Sequence, residues 1–445
     1  MSQPTRHLGL FSGAGLVVSN MVGAGVFLSA GFMAQDLGPG TILAAWLLGS
    51  LIALAGVRCY ATVARWVPRS GGEYRYLTEL AHPALGYLAG WASLLVGFSA
   101  PVAVNAFAAG SFVAIFVPGG DPRLIGTLWI VVLTAFHAVG LRSSRVTQNA
   151  LVVLDVLLLL GFVAAGLSFG ERSWPAWTPP VVHEGFPTQA FVQSLFFIAF
   201  AFAGWNASAY VAGEFRDPER DAPRAMLLGT GGVAILYLIV NWVFVANLTP
   251  GQARAVFEYE QSRVTLGHLV MTELIGPAAG TAMSLLVICA FTASTSAMTF
   301  AGPRVYAEMA RDGFLPRALV GQQGKPPVFS VLLQSSLALI ILYTHTLREA
   351  LANVGAILTL FTALVCASLF RVWWRPGALK PPDGLTLVAA AIQVAMAVYM
   401  LWFGLRGQTG LLGWVAGVAG VALVAYFLSP HRADRQRAGR DRSRL

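Results

Sequence analysis

The chain has 445 residues, of which 56 % are apolar and only 11 % charged, with a mean hydropathy of +0.68. Soluble domains carry about 25 % charged residues, so 29 basic and 20 acidic side chains cannot cover a chain this apolar with a water-facing surface, and lipid is the expected solvent. The net charge of +9 therefore bears on membrane topology rather than on nucleic acid, while Cys59, Cys289 and Cys366, all in apolar stretches, imply no disulfide framework and no metal-ligand spacing.

A spanning helix needs about 20 apolar residues to cross a core about 30 Å thick. Twelve stretches qualify, near 8–33, 41–66, 84–116, 124–141, 147–170, 189–213, 224–248, 275–303, 327–344, 347–373, 384–405 and 411–429. The fold class expected is thus all-α integral membrane, a single domain over 1–445 with no soluble module. The first stretch has no small-residue cleavage site and reads as a retained helix. Near its middle it is interrupted by Val22-Gly23-Ala24-Gly25-Val26-Phe27. Glycine permits unwinding, and unwound backbone in a bilayer is tolerated where it lines a polar cavity.

Helix 2 carries Arg58, about 12 Å from its inner end, from where it can snorkel to the interface. Helix 3 is long enough to cross at a steep tilt. Its Gly86-x-x-x-Gly90, like Gly413-x-x-x-Gly417 in the last span, is assigned to close helix packing. Helix 5 holds Asp155, the only charge between Arg145 and Glu171, about 14 Å into the membrane. An intramembrane carboxylate is costly and is usually functional or paired. Asp155 could carry a proton, or bind a cation with Thr292, Ser294, Thr295 and Ser296 of helix 8, or simply bond to backbone at a helix contact or face a water vestibule.

Helix 6 is interrupted in turn at Phe200-Ala201-Phe202-Ala203-Gly204-Trp205-Asn206. Close packing uses the same glycines, so either interruption alone is weak evidence. Together they have a geometric meaning. A five-span unit is odd, so its second copy enters the membrane from the opposite side, and the broken helices cross at the midplane. Inverted repeats are expected over 8–170 and 189–373, with accessory helices over 384–429 and a basic tail over 430–445. Freed N–H groups at a half-helix start suit a carboxylate, and freed carbonyls suit an ammonium or a cation. The pair matches an α-amino acid zwitterion without charged side chains.

With both termini cytoplasmic, 22 Lys and Arg fall in inner segments and 6 in outer loops, a strong positive-inside bias. The arginine-rich tail is read as a disordered topogenic segment, with binding to anionic lipid as the alternative.

At these residues the chain resembles the amino acid–polyamine–organocation superfamily, above all its L-type amino acid transporters and their bacterial relatives. The resemblance rests on the helix 1 run around Gly23, on Ser70-Gly71-Gly72-Glu73-Tyr74-Arg75-Tyr76, and on Gly204-Trp205-Asn206 with Glu214-Phe215-Arg216-Asp217-Pro218. Arg304-Val305-Tyr306-Ala307 with Ala310-Arg311-Asp312-Gly313-Phe314-Leu315-Pro316 completes it. It implies a ten-plus-two helix fold and secondary transport of amino acids. It also implies that Gly23, Ala24 and Gly25 hold the substrate carboxylate and that carbonyls around Met21, Phe200 and Ala203 hold the amino group. Phe200 would close over the substrate, with ordinary helix packing as the alternative for Phe200 and Trp205. Ala24 departs from the family's serine. Asn206 is the L-type residue where other members have glutamate, and Asp155 stands where many relatives carry a lysine.

Helices 1, 3 and 6 hold no charge at midplane depth, so neutral amino acids are the expected substrates, carried by uptake coupled to a proton or cation or by exchange. Asn105 and Asn353 could add polar contacts. The alternative is a polyamine or organic-amine carrier of the same fold; a channel or a membrane-embedded enzyme fits less well, since no nucleophile–base or metal constellation converges. No cofactor is expected beyond a coupling proton or sodium ion, and no nucleic acid partner. No cysteine lies in an outer loop, so no covalent partner subunit is expected. The expected location is the plasma, or inner, membrane.

Overall fold

The computed structural model describes residues 8–139, 145–171, 174–175, 177–181, 183–321, 327–375, 377, 379–407, 413, 416–417 and 419–424, without the side chains of 145–152, 155, 158, 405 and 407. Among the described residues every regular element is helical. Helix starts follow from local chemistry. Asp121, Asp217 and Thr249 each accept a backbone N–H two or three residues on, and each precedes a proline at the first helical position. Proline there loses a bond it could not make anyway and has its φ already set. Thr346 and Glu349 form a reciprocal capping box at another start.

In chain order the elements are α1 (Leu10–Met21), α2 (Ala24–Ala34), α3 (Pro39–Trp66), α4 (Gly72–Leu80), α5 (Pro83–Ala92), α6 (Ser99–Ala114), α7 (Pro122–Ala138), α8 (Arg145–Phe169), α9 (Thr188–Ala201) and α10 (Ala207–Tyr210). They continue with α11 (Pro218–Ala246), α12 (Pro250–Glu258), α13 (Glu260–Val264), α14 (Leu266–Leu274), α15 (Pro277–Arg311), α16 (Val328–Thr344), α17 (Leu347–Trp374) and α18 (Gly384–Gly407). Among the described residues seven segments are long and apolar enough to cross a membrane, α1 with α2 and α5 with α6 counting as one each; α7, α9, α16 and part of α8 are shorter apolar helices. Large apolar side chains face outward, among them Leu124, Leu128, Val131 and Val132 on α7 and Val388 and Val398 on α18. Such a face is a liability in water and costs nothing in lipid. The chain is a multi-pass membrane protein.

The long span expected over 84–116 is two helices joined by a π turn at Ser93–Gly97. The extra residue frees the Leu94 carbonyl, which accepts from the Ser99 and Tyr306 hydroxyls. Helix 8 runs past the expected end at 303, as α15, to Arg311 despite Pro303. The short helices α4, α12, α13 and α14 were not anticipated. Most of the last span, near 411–429, and the tail lie outside the described residues. Gly86 packs as expected: a Cβ there would fall 2.6 Å from the Tyr74 carbonyl. Around Gly413 and Gly417 most of the span lies outside the described residues. Arg58 ends on Asp383, 2.6 Å away at the start of α18. The Thr386 backbone N–H and then its hydroxyl, with Arg58 adding to them, hold that carboxyl below the usual carboxylate range.

The two broken segments form the centre. α2 packs on α9, α3 on α11, α6 on α15 and α7 on α16. One end of the bundle is tied by Arg348 of α17, which donates to Gln35 and Gln193 at 3.0 and 3.1 Å and pairs with Asp36. This pair is only partly exposed, so a double-mutant cycle of Asp36→Asn and Arg348→Gln is expected to give a coupling of about 1 kcal/mol in thermal unfolding. Additive effects would mean that the ends are held by the glutamines alone.

Candidate functional site

α1 ends because Val22 turns extended (ψ 102°) while its N–H still donates to Val18. Gly23 continues extended and α2 restarts at Ala24. Two non-helical residues leave the last carbonyls of α1 and the first N–H groups of α2 without helical partners. Asn105 of α6 meets the second set: its side-chain oxygen accepts the Ala24 N–H at 3.1 Å, and its amide donates to Ser294 of α15 at 3.1 Å. A Cβ on Gly23 would lie 2.8 Å from the Ser294 hydroxyl, so that hydroxyl sits directly over the interruption.

α9 ends at Ala201 and the chain turns through Phe202 to Asn206 before α10. Gly204 has φ +102°, a conformation that side-chain-bearing residues rarely adopt, and a Cβ there would fall 2.7 Å from the backbone of Asn20. A Cβ on Gly25 would fall 2.3 Å from Ala201 Cα. The two interruptions therefore touch, backbone against backbone. Tyr237 of α11 bridges them, its hydroxyl lying 2.6 Å from the Met21 carbonyl and 3.2 Å from that of Ala201. Trp46 and Phe202 flank its ring at 5.7 and 5.3 Å.

Met21, Ala24, Phe200, Ala203, Trp205 and Asn206 are buried. The Phe200 carbonyl, expected to receive an ammonium, accepts the Ala203 N–H at 2.8 Å in this conformation. The Trp205 ring lies 4.7 Å from that of Tyr60 on α3, tilted by 53°. Asn206 turns away from the interruptions. Its amide donates to Glu73 of α4 and lies 3.1 Å from the Tyr210 hydroxyl.

The hydroxyl run of α15 is dispersed, as a helix turning 100° per residue requires. Ser294 faces Asn105, Ser296 meets His137 of α7 at 2.9 Å, and Thr292 bonds back to Ile288. The Thr295 hydroxyl is buried without a partner among the described residues. Asp155 lies on α8, and its side chain is outside the described residues. Among the described residues no three His, Cys, Asp or Glu side chains converge as a metal site.

Sequence reasoning gave Tyr237 and Glu73 no role. Tyr237 stands alone in the apolar run 233–240, a signal that was there to be read. Glu73 lies inside the Ser70–Tyr76 motif, but nothing in the sequence shows that it is buried.

The arrangement offers an electropositive half-helix start and freed carbonyls whose present partners, Asn105 and Tyr237, are uncharged. The family profile described as "Amino acid permease" matches residues 8–425. The chain is 26 % identical over 444 residues to the human large neutral amino acids transporter small subunit 2, covering 95 % of this chain and 80 % of that protein. It is 25 % identical over 417 residues to the mouse Asc-type amino acid transporter 1, covering 89 % and 76 %. To the mouse b(0,+)-type amino acid transporter 1 it is 27 % identical over 275 residues, 60 % of this chain and 56 % of that one.

Proposed function

The chain belongs to the amino acid permease family, and from that premise we propose that it carries neutral amino acids across the plasma membrane by alternating access. The observation that carries the substrate class is the contact of two broken helices in which the Ala24 N–H and the Met21 and Ala201 carbonyls bond to the uncharged side chains of Asn105 and Tyr237. The α2 start, at Gly23, Ala24 and Gly25, would hold the carboxylate. The carbonyls of Met21, Phe200 and Ala203 would hold the ammonium, with Phe200 closing over the substrate and Gly204, Trp205 and Asn206 shaping the turn. In this conformation Asn105 and Tyr237 occupy part of that set, so substrate would enter by exchanging with them. The names of two relatives, a large neutral amino acids transporter and an Asc-type amino acid transporter, support the reading.

The proposal extends to twelve spans with two inverted five-helix repeats. The packing of α3 on α11, α6 on α15 and α7 on α16 supports it, each helix lying against the one five spans later. The bias of 22 to 6 basic residues supports cytoplasmic termini, with the Asp36 end outside. Coupling by a proton or cation would use Asp155, Ser294 and Thr295, and exchange is the other mode. Action without a covalently attached partner is supported by the three cysteines, which all lie within α3, α15 and α17. A polyamine carrier would want a counter-charge at the interruptions. Glu73, which meets the last residue of the second interruption, already accepts three hydrogen bonds.

The test is a thermal-shift screen of the purified protein against the twenty amino acids and common polyamines, with and without sodium. A ligand that binds only the folded state raises the melting temperature by mass action, by about 2.7 kcal/mol of stability at a hundredfold excess over Kd. Stabilisation by a subset of neutral amino acids is expected; stabilisation by amines alone would overturn the substrate class.

A further inference from the structure

Glu73 is a buried carboxylate, 5 % exposed, in the first turn of α4. One oxygen accepts from the Tyr60 hydroxyl at 3.0 Å and from the Asn206 amide, and the other accepts from the Tyr210 hydroxyl at 2.6 Å. Those donors come from α3, from the last residue of the second interruption and from α10. A Cβ on Gly72 would fall 2.3 Å from the Tyr210 ring, so α4 and α10 are in direct contact. Among the described residues no cation pairs with Glu73. The facing titratable groups are Tyr60 from α3, Tyr76 from α4 and Tyr210 from α10, with Cys366 of α17 beside Tyr60. Of the cations on the flanking segments, Arg69 pairs with Glu79, Arg75 with Asp312, Arg304 lies opposite Glu214 and Arg371 donates to the Ala81 carbonyl. His82 caps its own helix, α5. A buried charge held by neutral donors alone is expensive, and it is kept where its charge state does something.

We infer that Glu73 is a protonatable latch on the second interruption, closed while its carboxylate is ionised and released when it takes up a proton. An ionised carboxylate accepts at both oxygens; a protonated one turns one of them into an O–H donor. Three donors then face a group that is itself donating, and at least one must reverse or let go. Tyr60 and Asn206 share one oxygen, and Tyr210 has the other. A proton on the shared oxygen sets Asn206, whose amide cannot reverse, against the new O–H, and a proton on the other oxygen makes Tyr210 reverse or let go; either way the three-donor set that holds Asn206 beside α4 changes. Only a proton from solvent is consumed, and it returns when the latch closes. In the transport reading, on which this use of the latch rests, Glu73 would be the positioning residue that ties proton uptake to movement of the 202–206 turn.

The latch can be tested without transport. Hydrogen–deuterium exchange of peptides covering 200–210 is measured in the purified full-length protein at about pH 4.5 and about pH 8, an acid and a mildly basic condition. Rates are corrected for intrinsic chemical exchange, with a peptide inside α11 as reference. The wild type is expected to exchange about tenfold faster in this segment at the lower pH, as a local opening freed of its hold. Glu73→Gln is expected to exchange fast at both. Tyr210→Phe, which keeps the carboxylate, is expected to start from a faster baseline at the higher pH and still to quicken at the lower. The latch is overturned by a wild-type segment indifferent to pH, by a Glu73→Gln protein that keeps the wild-type response, or by a Tyr210→Phe protein indistinguishable from wild type. Uptake of labelled L-alanine and L-leucine into proteoliposomes separates the two ideas. A working latch without uptake refutes the transport reading alone, and uptake with no pH response of the segment refutes the latch alone.

Discussion

Gly204→Ala is expected to cost about 2–4 kcal/mol of stability and to reduce exchange about a hundredfold or more. Two independent features add at this position. Its φ of +102° charges any L side chain about 1–2 kcal/mol. The added methyl would also lie 2.7 Å from the Asn20 carbonyl carbon and oxygen, and backbone atoms cannot swing aside as a flexible side chain can. Relief requires the two interruptions to move apart, which is the contact on which the proposed site depends. Gly231, within α11, has nothing within 4 Å of an added Cβ. Gly231→Ala should therefore be neutral or stabilise by up to about 1 kcal/mol through helix propensity. Thermal unfolding and counterflow of both variants check the pair. Equal behaviour would mean that the Gly204 turn adjusts freely.

Tyr237→Phe removes one oxygen and is expected to slow exchange about tenfold, with a stability loss of about 1–3 kcal/mol, as two buried carbonyls lose their shared donor. The ring is retained between Trp46 and Phe202, so the packing term changes little. One hydroxyl proton serves one acceptor at a time, and the Met21 and Ala201 carbonyls therefore compete for it. That competition is the physical content of the variant: a substrate ammonium taking the Met21 carbonyl would leave the hydroxyl to Ala201. The expected signature is a fall in turnover larger than the change in apparent affinity. Unaltered melting and unaltered exchange would show that the bridge does nothing in the cycle.

The interruptions were legible because glycine and apolar context are local properties of the sequence. Val22-Gly23 and Gly204 lie where the helices break, and Asp-Pro and Thr-Pro pairs stand at helix starts. What fills the bonds left by the breaks was not legible. Asn105 reaches Ala24 across 81 positions of sequence, and Tyr237 reaches Met21 across 216. Such pairings depend on which helix faces meet, and nothing in a single span encodes that. Asn206 illustrates the difference, since its motif marked it as important while only the fold turned it toward Glu73. The hydroxyls of α15 show the converse. Adjacent in sequence, they looked like one cluster, yet helical rotation sends Ser294 and Ser296 to different neighbours. The π turn at Ser93–Gly97 left no sequence signature that periodicity could find, because an inserted residue only shifts the phase of an already apolar run.

The most direct measurement is counterflow in proteoliposomes carrying the full-length protein, preloaded with unlabelled neutral amino acids and supplied with a labelled one outside. The account predicts accumulation of label above empty liposomes, competed by other neutral L-amino acids but not by arginine, lysine or polyamines, and lost in Gly204→Ala. Accumulation driven only by cationic amino acids or polyamines would contradict it. So would counterflow that survives intact when the contact between the two interruptions is forced apart.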